Sequence, residues 1–82
     1  MDKESVKSKL KDFFISNLGV DESVIKYDTA LFGDSEIGLD SVDSLEIIAF
    51  VDDEFGVSMT GVAKEHFFNI DSIADYIEAH AE

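Results

Sequence analysis

The sequence predicts an all-α fold: a small antiparallel bundle of three longer helices plus one short helix, with a long loop between helices one and two. Three observations carry that expectation. Apolar residues recur at steps of three and four in the N-terminal, central and C-terminal parts of the chain, the period of a helix with one buried face. Strand-like alternation is sustained nowhere, and Val57-Ser58-Met59 is a lone short candidate with nothing to pair with. Glycines stand where the first two periodic segments stop, at Gly19 and Gly56, where a left-handed residue commonly closes a helix. With 82 residues, the expectation is a single domain over 1–82 with a thin core, burying about 60–65% of its unfolded surface.

The first helix is expected from Lys3 to about Leu18, with Val6, Leu10, Phe13, Phe14 and Leu18 inward and Lys7, Lys11 and Asp12 largely outside. Residues 20 to 40 show no period. Val24, Ile25, Leu31, Phe32, Ile37 and Leu39 are scattered anchors, which favours a loop packed over the core with a short helical turn inside it. The second helix opens at Asp40 or Ser41 and runs to Phe55. Leu45, Ile48, Val51 and Phe55 are assigned to its core stripe, leaving Val42, Ile47, Ala49 and Phe50 beside or outside it. A short helix follows between Val62 and Phe68. The last helix is capped at Asp71 or Ser72, with Ile73, Ala74, Ile77 and Ala81 inward.

Charge narrows the function classes. The formal net charge is −13, with 19 acids against six lysines and no arginine. Such a chain repels phosphate backbones and anionic headgroups, which argues against nucleic-acid and membrane-surface roles and for partners with basic patches. No apolar run approaches the ~20 residues of a membrane span. The charged start MDKESVKSKLKD is unlike a signal peptide, so a cytoplasmic protein is expected.

Catalysis by the chain's own side chains is poorly supported. There is no cysteine, and His66 and His80 are fourteen residues apart with no zinc-type pairing, so no metal site is expected. Asp34-Ser35-Glu36-Ile37-Gly38-Leu39-Asp40 lacks the ligand spacing of a calcium loop. A small bundle offers no cleft that would exclude water from a reacting centre.

One constellation stands out. Gly38-Leu39-Asp40-Ser41-Val42-Asp43-Ser44-Leu45-Glu46 places a serine where a glycine-containing loop meets a helix start. An Asp-Ser pair there is also what an ordinary N-cap looks like. The surroundings are uneven, however: from Asp34 to Glu54 there are eight acids and no base. A helix acidic at its rim and apolar at its crown suits docking onto basic, apolar-centred partners.

This segment resembles the phosphopantetheine attachment site of the acyl carrier proteins, Gly-x-Asp-Ser-(Leu/Val/Ile)-Asp with an apolar residue and Glu further on. Glu54-Phe55-Gly56 resembles the close of the family's second helix, and Asn69-Ile70-Asp71-Ser72-Ile73-Ala74-Asp75-Tyr76-Ile77 its last one. The likeness covers essentially the whole chain. Asp-Ser-Leu also occurs at Asp43-Ser44-Leu45, but only Ser41 has glycine three before it and glutamate five after it.

The resemblance implies a carrier and not an enzyme: acyl intermediates held as a thioester on 4'-phosphopantetheine covalently attached to Ser41, in fatty-acid or specialised lipid or polyketide-like biosynthesis. It implies as partners a phosphopantetheinyl transferase and acyl-processing synthases or ligases with basic docking patches, acting on a monomer. By position, Asp40, Val42, Asp43, Glu46, Ala49, Asp52, Asp53 and Glu54 would serve partner recognition. Phe13, Phe14, Ile48, Val51, Phe55, Phe67 and Tyr76 would line a pocket sheltering the acyl chain. Free N–H groups at the helix start would favour the phosphodiester. The loop Leu31–Ile37 is longer than in housekeeping fatty-acid carriers, and the region Met59–His66 is less acidic and lacks their proline, which leaves room for a specialised pathway. An aminoacyl or peptidyl carrier, or a helical interaction module that never receives the arm, are the alternatives at this level.

Overall fold

A computed structural model describes residues 2–33 and 37–81. Three α-helices and one 3-10 helix follow one another: α1 Lys3–Leu18, α2 Ser41–Phe55, the 3-10 helix Lys64–Phe67, and α3 Ile70–His80. Among the described residues there is no strand, only an isolated bridge between Phe32 and Leu39. The calcium-type candidate and the loop insertion fall partly on residues 34–36, which lie outside the described residues.

Side-chain pairs fix the directions of the helices. Along α1, Lys3 pairs with Asp75 and Lys7 with Asp71 at 2.8 Å, so α3 runs against it. On its other flank Lys9 meets Glu54 at 3.3 Å and Phe13 stacks on Phe50 at 4.2 Å, so α2 also runs against α1. The Lys3 and Lys7 ammonium groups are held above their ordinary value of 10.5, first by hydrogen bonding to Asp75 and Asp71 respectively and then by charge attraction.

The core forms as the helical periods require, with two corrections. Val6, Leu10, Phe13 and Phe14 are buried on α1, and Ile70, Ile73, Ala74 and Ile77 on α3. On α2 the buried residues are Ile47 and Val51, whereas Leu45 is 65% exposed. Ile48 and Phe55 are half-buried against the core. At about 100° per residue, Leu45 lies roughly 160° around the helix from Ile47 and cannot share its buried face. The stripe facing the core is therefore Ile47-Val51 flanked by Ile48 and Phe55. The second correction is the cap of α3: Asn69 accepts from the Ser72 N–H at 2.7 Å, so the helix starts ahead of Asp71.

The long loop is tied down by its backbone. Asp21 opens a turn in which its carboxylate accepts from the Ser23 N–H and hydroxyl, at 2.9 and 2.8 Å. Those bonds hold that carboxyl below its ordinary value. Ile25, Leu31 and Leu39 insert into the core. The Leu31 N–H donates to Phe68 O, and the Asp71 N–H to Tyr27 O, each at 3.0 Å; the Leu39 N–H donates to Leu31 O at 2.9 Å. These bonds hold the loop against the start of α3, and Leu39 delivers the chain to the first turn of α2.

Candidate functional site

The start of α2 is built by Asp40. Its backbone is extended, with φ −120° and ψ −174°, and its Oδ1 accepts from the Val42 and Asp43 N–H groups at 3.0 and 3.3 Å. Asp43 answers through Oδ2, which accepts from the Asp40 N–H at 3.0 Å. This reciprocal box fixes where the helix begins and which residue occupies its first position. That residue is Ser41.

The two serines of the motif differ in what holds them. Ser44 is half-buried and its hydroxyl donates to Ser41 O at 2.6 Å. Ser41 is exposed, and among the described residues nothing hydrogen-bonds its hydroxyl. A group attached to Ser41 would project into solvent from the helix start. The expectation of free N–H groups for a phosphodiester needs correcting, because Asp40 occupies those of Val42 and Asp43. What the helix start still offers an anion is its dipole and the Ser41 N–H, which is not among the donors Asp40 takes up, opposed by the two flanking carboxylates.

Along α2 the apolar Val42, Leu45 and Ala49 are exposed, as are the acids Glu46, Asp52 and Asp53. Asp40 is exposed and Asp43 half-buried. No basic residue occurs in the helix. Glu54 is set apart from the others by its ion pair with Lys9. An open groove of about 640 Å³ runs between this face and α1, lined by Val42, Leu45, Ala49, Phe50 and Phe13, with Asn17, Glu46 and Asp53 at its polar edge. Phe50 and Leu45 were not assigned to a functional surface from sequence. The signal was present in Val42, Leu45 and Ala49, which fall at steps of three and four on the face opposite Ile47.

The residues expected to line an acyl pocket are distributed differently. Phe13, Phe14, Val51 and Phe67 are buried, and Ile48, Phe55 and Tyr76 are packed half-buried against the core. Only Phe13 lines either the groove or a smaller depression of about 220 Å³ beside Gly19 and Leu39. Both histidines engage Tyr76: His66 meets its ring edge-on, and His80 stacks on it at 3.9 Å. Among the described residues no cluster of three or more His, Cys, Asp or Glu is placed to hold a metal ion. No helix there is long and apolar enough to cross a membrane.

Comparison with known proteins defines the class. Residues 8–79 match the family model of the phosphopantetheine attachment site. The acyl carrier protein of Clostridium acetobutylicum is 32% identical over 77 residues, covering 94% of this chain and 97% of that protein. The chain belongs to the acyl carrier protein family. Its role is therefore that of a carrier and not of an enzyme, and its prosthetic group is covalent phosphopantetheine. Carriers of this family interact with phosphopantetheinyl transferases and acyl-processing enzymes.

Proposed function

We propose that Ser41 is the attachment residue and that the outer face of α2 is the surface read by the modifying and acyl-processing enzymes. The observation that carries this reading is the contrast between the two serine hydroxyls, one exposed and unbonded, the other donating to Ser41 O. In the loading step, Ser41 Oγ attacks the pantetheine-side phosphorus of coenzyme A. An Oγ–P bond forms, the pyrophosphate P–O bond breaks, 3',5'-ADP leaves, and the hydroxyl proton passes to a base on the transferase. When bound, the arm supplies the terminal thiol that this cysteine-free chain lacks.

The chain's own contribution is positional and electrostatic. Asp40 and Asp43 fix the helix start and present carboxylates beside Ser41. Glu46, Asp52 and Asp53 extend the negative rim along α2, while Val42 and Ala49 offer apolar contacts between them. This arrangement fits enzymes with basic, apolar-centred docking patches. Glu54, paired to Lys9, is assigned to helix packing instead. The reading makes the protein a single-domain, monomeric, cytoplasmic carrier serving fatty-acid or specialised lipid or polyketide-like synthesis.

Incubation with coenzyme A and a phosphopantetheinyl transferase, followed by intact mass measurement, tests the attachment. The parent and Ser44→Ala are expected to gain one phosphopantetheinyl group and Ser41→Ala none. Loading of Ser41→Ala overturns the assignment.

A further inference from the structure

The two flanks of α1 are closed to different degrees. α3 is fastened along one of them through the Lys3–Asp75 and Lys7–Asp71 pairs. On the other, the Lys9–Glu54 pair and the Phe13–Phe50 stack tie α2 to α1, and beside those contacts runs the uncovered groove of about 640 Å³. Val42 and Leu45, each 65% exposed, stand in its wall, with apolar area to lose from water.

We infer that this groove seats a basic amphipathic helix of a partner enzyme, so that the docking proposed above for the outer face of α2, on which this inference rests, extends across to Phe13 and Asn17 of α1. From Val42 to Asp53 α2 rises about 16 Å at 1.5 Å per residue, which is about three turns of a helix lying alongside. The α2 wall repeats at steps of three and four through Val42, Leu45, Ala49 and Asp53, and the α1 wall at a step of four through Phe13 and Asn17. Rows at that spacing are the ridges between which the side chains of another helix settle. A partner's apolar residues at i, i+3 or i+4, and i+7 then meet Val42, Leu45 and Ala49 in turn, beside the half-buried Phe50 ring.

Charge sets the chemistry of the occupant and its orientation. Glu46 and Asp53 edge the groove from α2, two helical turns apart, and α2 holds no base. The only polar side chain that α1 contributes to the lining is the neutral Asn17. The fitting helix therefore carries two cations about 10 Å apart along its axis on the flank that faces α2. Its flank towards α1 is uncharged. A second copy of this chain is a poor occupant, because a net charge of −13 brings acids against Glu46 and Asp53.

The probe is a lactam-stapled peptide of about four helical turns, with leucines at i, i+3 and i+7 and two lysines seven residues apart on one flank. Its control has the same composition with the leucines scattered around the helix. At about 0.15 M salt, the probe is expected to shift the nuclear magnetic resonance signals of Phe13, Asn17, Leu45 and Ala49. It is expected to bind at least about tenfold more tightly than the control, the worth of burying one leucine. Asn17→Lys should weaken it about two- to fivefold by repelling the peptide's lysines. Ser8→Lys, roughly 180° around α1 from Asn17, adds the same charge and should leave the affinity unchanged. Both positions are exposed, and circular dichroism checks that each variant folds. Equal binding of the two peptides, or equal weakening by the two lysines, overturns the inference by reducing it to bulk charge. Shifts at Glu46, Asp52 and Asp53 with none at Phe13 and Asn17 overturn the groove and leave docking on α2 standing. Shifts absent from α2 altogether refute both. A dimer of the free chain that covers Leu45 overturns the inference by making a second copy the occupant.

Discussion

Asp40 carries two duties that substitution can separate: it caps α2, and it places a negative charge beside Ser41. Replacing it with alanine removes the acceptor for the Val42 and Asp43 N–H groups and leaves the Asp43 carboxylate as the only half of the box. Losing an N-cap costs about 0.5–2 kcal/mol. Because Asp40 is exposed, water can replace part of what is lost, and about 1 kcal/mol is the expected cost. In a domain of this size that lowers the melting temperature by roughly 4–8 °C. Asp40→Asn keeps an oxygen in the capping position, and asparagine caps as well as aspartate, so it should melt close to the parent while still lacking the charge. Thermal unfolding followed by far-ultraviolet circular dichroism measures the first duty, and the transferase loading rate measures the second. The expected pattern is that Asp40→Ala loses stability and loads slowly, whereas Asp40→Asn keeps stability and still loads slowly. If Asp40→Ala melts with the parent, or Asp40→Asn falls with it, the box is not what fixes this helix start.

Other consequences are equally open to measurement. Ile47→Ala should destabilise by about 2–5 kcal/mol, while Leu45→Ala should stay within about 0.5 kcal/mol of the parent; urea unfolding of the pair would expose a misplaced helix face by reversing that order. Lys3 and Lys7 titrate above 10.5 in the folded chain, so their contribution is complete below 10.5 and is lost as pH rises through the folded values. A parent whose stability does not fall there more steeply than that of an Asp71→Asn, Asp75→Asn double variant would refute the α1–α3 clamp. Salt should act with opposite signs on folding and docking. Between about 0.01 and 1 M the Debye length falls from about 30 to 3 Å. Screening should then raise the melting temperature of this chain of charge −13 and slow its modification by a basic transferase. A loading rate indifferent to salt would rule out charge-driven docking.

Much of the fold was legible because its boundaries are written in local chemistry. Gly19 and Gly56 take φ +68° and +69° at the ends of α1 and α2, and Asp40 caps where an Asp-Ser step predicts it. The face of α2 was less legible for a physical reason. Leu45, Ile47, Ile48, Ala49, Phe50 and Val51 cover so much of the helix that spacings of three and four fit more than one stripe. Packing of the common core selects among them, burying Ile47 and exposing Leu45. The cap of α3 was misplaced because Asp71 and Ser72 both look like caps, and only the Asn69–Ser72 bond decides. The bonds from residues 27 and 31 to residues 71 and 68 have no local signature at all. At the site, the motif singles out Ser41 by spacing, but the engagement of the Ser44 hydroxyl on Ser41 O emerges only with the helix formed.

On the proposed reading, the placement of three of the lysines gives the acidic surface a role beyond solubility. Lys3 and Lys7 are held by α3 acids, and Lys9 by Glu54 at the far end of α2. Each of these pairs fastens α1 to a neighbour, so these three of the six lysines serve helix packing. Asp40, Asp43, Glu46, Asp52 and Asp53 have no ion-pair partner among the described residues. Their mutual repulsion is relieved whenever a basic patch is brought against them, so association lowers an energy that the isolated chain retains. Exposed pairs are individually weak, and rim charges change arrival rates more than residence. A carrier that must visit several enzymes and leave each one needs that combination: strong attraction at a distance, with little to hold it once the apolar contacts of Val42 and Ala49 are undone.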